Sequence, residues 1–399
     1  MIPLDLSRPL NGPGLVCPYC YSAFPERGIL FRCTGLPGPG GRRCSVEKDT
    51  ALETHLGRNE HLPPVFAHDG RRPHAVCRGC MSVTGRHVCP TCHAQLPVGF
   101  GRIRGRRIAL VGAREVGKTV FMTVLVHELM NRVGARFDAS VGGADDHTRH
   151  RFSADYEARL YNDARTLRGT QRTRVVREPL VFRFTSRRRH LTGLRHPQHT
   201  LLSFFDTAGE DLHSAESVAT NLRYLHSADG VILLLDPLQM AEGPRLADPG
   251  ARIPLAQGPE HQPLHMLERV TELLLNRQGS ARRLIRVPIA VCLTKIDALR
   301  GQLDAGAPLR RPEADTPYFD TTDSQDVHAQ VRQLLHRWDG DGVDSHIRNH
   351  YRNARYFGVS ALGDSPDANN FIRGGVRPYR VADPFLWMLS EFGVLPSRS

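Results

Sequence analysis

The chain has 399 residues, enough for one large unit or two smaller ones around a buried core, and no stretch approaches the ~20 apolar residues of a membrane span. Its formal charge is +12, yet only three of the 53 basic residues are lysine: Lys48, Lys118 and Lys295. Such an arginine bias reads as codon usage plus solvated surface, so the charge alone is weak support for a nucleic-acid partner.

The opening "MIPLDLSRPLNGPGLV" has no apolar run of signal-peptide length. A cytoplasmic chain with no membrane partner is expected. Eight of the nine cysteines then fall within residues 17 to 92. In a cytoplasmic chain, two-residue Cys spacings point to zinc rather than disulfides. "CPYC" (Cys17, Cys20) with Cys33 and Cys44 can make one four-thiolate site, and Cys77, Cys80, Cys89 and Cys92 a second. The first set is looser, and His55 or His61 could replace one of its ligands; the two sets could also interleave. Four protein ligands leave no open position, so two structural Zn2+ ions are expected, in a module for docking protein or nucleic acid. This Cys-rich region is taken as residues 1–100.

A basic connector, "GFGRIRGRR", leads into a second region, 101–399. Apolar strand-like runs at 107–112, 179–184, 201–206, 230–236, 287–294 and 355–360 alternate there with helical stretches. The helices are placed at 118–132, about 150–167, 214–227, 264–277, 325–338 and 382–392. This is the rhythm of an α/β fold, a mostly parallel sheet with helices on both faces. Insertions are expected at about 134–174, 241–260 and 300–324, and an exposed basic hairpin at 185–199.

The first strand runs into "GAREVGKT", Gly112, Ala113, Arg114, Glu115, Val116, Gly117, Lys118 and Thr119, followed by the apolar helix "VFMTVLVHELM", read as amphipathic. The spacing is that of a phosphate-binding loop. Backbone N–H groups and a helix N-terminus face the phosphates, Lys118 reaches the β- and γ-phosphates, and the Thr119 hydroxyl meets Mg2+. Where arginine has replaced lysine almost everywhere, a surviving lysine marks a place that a guanidinium fork cannot fill. Two of the three lie in "GKT" and "TKID".

"FFDTAGED" follows the third strand. Asp206 suits a water-mediated contact to Mg2+, and Gly209 can offer its N–H to a γ-phosphate and rearrange when that group leaves. Further on, "VCLTKID" puts Thr294, Lys295 and Asp297 at the end of a strand, where parallel sheets place ligands. The Asp297 carboxylate can accept from guanine N1–H and its 2-amino group; adenine has no matching donor pair. In "VSAL", Ser360, Ala361 and Leu362 close another strand, and a backbone N–H there can donate to guanine O6. GTP is the expected nucleotide. Cys292, inside "VCLT", reads as a core residue.

With these four motifs in order, residues 106–395 resemble the Ras-like P-loop GTPases of the translation-factor-related class. The zinc-ribbon-like N-terminus and the strand ending "LLLDPLQ" are similar to bacterial double-GTPase-type domains, associated with conflict or signalling systems in which two GTPases act as a pair. The resemblance implies a GTP/GDP switch with a protein partner, a second GTPase among the candidates. It also implies a threonine before the second core strand that senses the γ-phosphate. Thr148, Thr166, Thr170 and Thr173 lie in that window; Thr166 sits in an expected helix, which favours Thr170.

Two departures from the pattern stand out. Glu210 replaces the glutamine that orients the attacking water, which puts fast intrinsic hydrolysis in doubt. Arg114 stands where relatives tend to have glycine, as a solvated residue or as an arginine finger in cis. A hydrolysis-deficient GTP-binding scaffold and an RNA- or ribosome-associated GTPase using 187–190 are the alternatives.

Overall fold

The computed structural model describes residues 14–167, 178–189, 195–204, 223–254, 263–278, 284–338, 340–367 and 369–399. The chain forms two compact units. One runs to Gly105 and also takes in Glu178 and Pro179; the other begins at Arg106. Among the described residues no helix is long and apolar enough to cross a membrane.

The first unit is built from very short elements. Hairpins join Leu15–Val16 to Ala23–Phe24 and Ala75–Val76 to Val83–Thr84. Leu30–Arg32 lies between Val65–Ala67 and His87–Val88 in a three-stranded sheet. One helix, Thr50–Leu56, starts where Asp49 accepts from the Leu52 N–H and stops at Gly57, whose φ of 70° only glycine adopts freely. The same Asp49 pairs with buried Arg32 at 2.7 Å, and Arg32 also donates to the carbonyls of Pro63 and His93. Arg58 closes the unit by forking onto Glu178, with Nε–Oε2 at 2.7 Å and a second, very short bond to Oε1.

The second unit carries a seven-stranded sheet. Its strands are β1 (Arg104–Gly112), β2 (Ala139–Gly143), β3 (Leu180–Arg189), β4 (Arg195–Phe204), β5 (Gly230–Leu235), β6 (Ile289–Leu293) and β7 (Ala354–Gly358). The spatial order is β2-β3-β4-β1-β5-β6-β7. β1, β5, β6 and β7 are mutually parallel, and β2, β3 and β4 form an antiparallel edge. Every residue of β5 and β6 is buried, as expected for strands covered on both faces. Cys292 lies in this core, fully buried.

The helices are α1 (Lys118–Glu128), α2 (Asp146–Arg151), α3 (Pro263–Gln278), α4 (Thr321–Arg337), α5 (Asp341–His350) and α6 (Asp383–Glu391). α1 runs on in π-type turns to Val133 and ends at Arg136. α2 likewise continues to Asn162, so Thr166 lies beyond it, donating its N–H to the Asn370 carbonyl at 2.9 Å. The helical reason for setting Thr166 aside therefore falls away. α1 is also not amphipathic: residues 121–126 are buried consecutively, because its neighbours cover it all round. The strands expected around 185–199 do pair as a hairpin, in register from Leu180↔Phe204 to Arg189↔Arg195.

Candidate functional site

β1 ends at Gly112, and the turn 113–117 delivers the chain to the N-terminus of α1. Gly112 is forced by space: a Cβ there would lie 2.8 Å from the Leu234 carbonyl oxygen and 2.8 Å from Val116 Cγ1. Gly117 takes φ 90° and Glu115 φ 62°, which bends the loop back on itself. Val116 points into the core while Arg114 and Glu115 are exposed. The Lys118 ammonium is buried beneath the loop, donating to the carbonyls of Gly112 at 2.8 Å and Ala113 at 3.0 Å. Thr119, half-buried, stands in the first turn of the helix, with its carbonyl accepting from Thr123 Oγ1.

The next strand ends lie beside this loop. Thr294 donates both its N–H and its hydroxyl to the Leu235 carbonyl, which ties β6 to β5 at their tips. Lys295, at φ 51°, reaches the Glu115 carbonyl at 3.0 Å and the Asp236 carboxylate at 2.5 Å. Asp236 is fully buried; burial pushes its pKa up, and Lys295 with the Leu238 N–H opposes that. Gln239 adds a further strut, donating from Nε2 to the Arg114 carbonyl at 2.9 Å. Asp236 and Gln239 belong to "LLLDPLQ", the string that carries the double-GTPase resemblance. An acid directly after five apolar residues was the available signal.

Asp297 is brought against Ser360, whose hydroxyl donates to it. Burial and the Asp364 charge hold the Asp297 pKa above its usual value, while Ser360 and Lys295 act the other way. Ser360 Oγ in turn accepts from the Gly363 N–H at 2.8 Å. Ala361 and Leu362 pack half-buried on the main core. Asp248, from the loop after β5, accepts from the Gly301 N–H at 3.1 and 3.0 Å and donates its N–H to the Ala298 carbonyl, bracing the turn that carries Asp297.

The structure thus gathers 112–119, 294–297 and 360–362 at the carboxyl ends of the parallel strands β1, β6 and β7. Thr170, Thr173, Asp206, Gly209 and Glu210 lie outside the described residues. Thr148 is buried in a local role, bonding Asp145 and accepting from the Val181 N–H.

The eight N-terminal cysteines form two clusters, but not the sequential ones. Cys17 and Cys20 join Cys89 and Cys92, while Cys33 and Cys44 join Cys77 and Cys80, and within each cluster the sulfurs lie within 4.8 Å of one another. The interleaved arrangement replaces the expected 17/20/33/44 and 77/80/89/92 sets, and neither histidine takes part. The reason lies in the small sheet: Leu30 pairs with Val88, which carries the 89–92 knuckle back to the N-terminal one. Sγ···Sγ distances of 3.8, 3.8, 3.5 and 3.6 Å match the ~3.8 Å edge of a tetrahedron with ~2.3 Å Zn–S bonds, and exclude disulfides near 2.0 Å. The N–H groups of Tyr19, Gly35 and Thr91 each point at a sulfur at 3.4 Å, favouring thiolates. Each cluster offers four sulfurs at tetrahedral spacing, so the two together fit two structural zinc ions.

A phosphate-type loop at the end of the first strand of a mostly parallel sheet, with a carboxylate motif closing a strand two places away, defines a P-loop nucleotide-binding protein. The family model Double-GTPase 2 matches residues 106–347, and the chain belongs to that family. It is also 29% identical over 408 residues to the "Putative ESX-1 scaffolding and assembly protein SaeC" of Mycolicibacterium smegmatis, with 95% of this chain and 99% of that protein covered.

Proposed function

We propose that this protein is a Mg2+-dependent GTP-binding and GTP-hydrolysing switch whose zinc-bearing unit docks a protein partner. The observation that carries this is the strapping of the base motif to the phosphate loop. Lys295 bonds Glu115 within the loop, while Asp297, two residues on, faces Ser360. In this reading, the loop N–H groups and Lys118 hold the phosphates, and Lys295 lies against the guanine ring. Asp297 selects guanine, and the loop 360–362 meets its O6. Thr119 and Asp206 would hold Mg2+, which neutralises charge on the β- and γ-phosphates. Thr119, in the first helical turn beside Lys118, fits that role.

The name of the Mycolicibacterium relative favours a second reading. A protein described as scaffolding and assembly would use GTP to set a binding state, and Glu210 would then mark slow or partner-dependent hydrolysis. Single-turnover hydrolysis of Mg·GTP, with Lys118→Ala as control, separates the two. A lysine-dependent rate near ~10⁻² s⁻¹ supports a self-sufficient GTPase. GTP bound but intact supports the scaffold. No difference between GTP and ATP binding overturns both.

A further inference from the structure

The two sulfur clusters have opposite surroundings. Beside Cys17, Cys20, Cys89 and Cys92, the side chains of Tyr19, Tyr21, Val88 and Ala94 are all buried. Beside Cys33, Cys44, Cys77 and Cys80, those of Leu36, Val46, Val76, Met81 and Val83 are all exposed. These five are half of the ten exposed large apolar side chains among the described residues.

The hairpin of the second cluster alternates in the wrong sense for a fold-stabilising strand pair. Ala75, Cys77, Cys80, Ser82 and Thr84 face inward, while Val76, Arg78, Met81 and Val83 face solvent. Val76 and Val83 are direct cross-strand partners, so their side chains form one exposed aliphatic pair. A solvent-facing hairpin surface is ordinarily polar.

The turn geometry of the knuckle is what turns Met81 outward. The residue following the second cysteine of each knuckle is left-handed: Tyr21 at φ 59°, Met81 at φ 60° and His93 at φ 56°. Tyr21 is buried, and His93 bonds Asp49 at 2.9 Å. Met81 holds the same strained backbone at 53% exposure.

Apart from its bordering carboxylates, Glu47 and Asp69, the patch carries charge of one sign, and Asp69 is taken up by Arg71 at 2.7 Å. Residues 34–46 and 70–86 contain no aspartate or glutamate. Arg42, Arg43, Arg78 and Arg86 are exposed, and none pairs with a carboxylate among the described residues. Those stretches also hold no Phe, Tyr or Trp on which a base could stack, which disfavours single-stranded nucleic acid.

We propose that the knuckle of Cys33, Cys44, Cys77 and Cys80 is a docking surface for a partner-protein segment that alternates carboxylates with aliphatic side chains. Val76, Met81 and Val83 take its aliphatic residues, and the four arginines its carboxylates. This rests on the reading of the zinc-bearing unit as a protein-docking module.

The test selects phage-displayed random peptides of about 16 residues on the full-length, zinc-loaded chain. Selected peptides are then titrated against Val76→Ser/Val83→Ser and Arg42→Ser/Arg43→Ser double variants. Zinc is counted by elemental analysis throughout. The expected result is enrichment of Asp and Glu interleaved with Leu, Ile and Val, with binding weakened about tenfold in each double variant. Zinc and GDP affinity stay unchanged. Peptides without that bias, or binding equally to Val76→Ser/Val83→Ser, overturn the proposal. So does loss, in the variants, of polyuridine RNA binding, phosphatidylserine-vesicle binding or self-association in place of peptide binding. Fewer than about two zinc ions with peptide discrimination intact overturns the metal assignment alone. Two ions without discrimination overturns the docking alone.

Discussion

Lys295 and Asp236 form a pair whose two members are not equivalent. The Asp236 carboxylate is fully buried, whereas Lys295 keeps 32% of its side chain exposed. Lys295→Ala strands a buried carboxylate and should destabilise the fold by about 3 kcal/mol. Asp236→Ala leaves an ammonium that can turn to water, and about 1 kcal/mol is expected. Urea midpoints measure both, and equal losses would contradict the asymmetry. Asp297 makes a pH prediction. Its raised pKa means that the empty fold is favoured below the ordinary carboxylate value of 3.8 and loses that contribution as pH rises through the raised one. Guanine recognition needs the charged form, so affinity runs the other way. GDP affinity of the unaltered protein should fall as the pH is lowered through that raised pKa, while an Asp297→Asn variant, weak throughout, stays flat. Parallel calorimetric profiles for the two proteins would remove Asp297 from base recognition. The local motifs were legible because each is a short string beside an apolar run. The Asp236–Lys295 pair was not, since no string says which strand-end side chains turn toward each other.

Elements were legible in proportion to how apolar they are. β5 and β6, continuous apolar runs, match the strands expected there to within a few residues. β2, with the sequence "ASVGG", has a single large apolar residue and is recognisable only once it pairs with β3. α5 was missed for another reason. It buries Val343, Asp344 and Ile347, and the buried carboxylate breaks the apolar pattern a reader looks for. Asp344 is satisfied by Arg332 at 3.0 Å and by the Tyr356 hydroxyl at 2.9 Å, partners from α4 and β7. Cysteine pairing stayed open between sequential and interleaved sets for a different cause: a knuckle is local and its partner knuckle is not. The interleaved arrangement predicts unequal consequences for the two sites. Cys89→Ser removes a ligand whose neighbours are the core of a unit too small to hold itself together, and both ions should be lost. Cys80→Ser opens the cluster with exposed neighbours, and about one ion should remain on a folded chain. Elemental analysis of the purified variants decides, and equal loss would mean that the clusters fold as one.

At the scale of the whole molecule, the α/β rhythm and the Cys-rich segment were legible as two compositions, but the course of the chain between them was not. The Cys-rich unit includes Glu178 and Pro179, reached only after the chain has passed through β1 and α2. Nothing in the string around Glu178 marks that return; what fixes it is the fork from Arg58, 120 residues earlier, onto a carboxylate with only 3% of its side chain exposed. Calorimetry should therefore show two transitions. Mg·GTP at about 100 times its dissociation constant adds ~2.7 kcal/mol to the state that binds it and should raise one transition by about 4–5 °C. A chelator should abolish the other. Glu178→Ala leaves the Arg58 guanidinium, only 16% exposed, without its bidentate partner, and should lower the chelator-sensitive transition by about 3 kcal/mol. The GTP-sensitive transition should not move, because Glu178 contributes to the unit that the nucleotide does not occupy. If Glu178→Ala lowers the GTP-sensitive transition instead, the second pass of the chain belongs energetically to the nucleotide-binding unit, and the division of the molecule must be redrawn there.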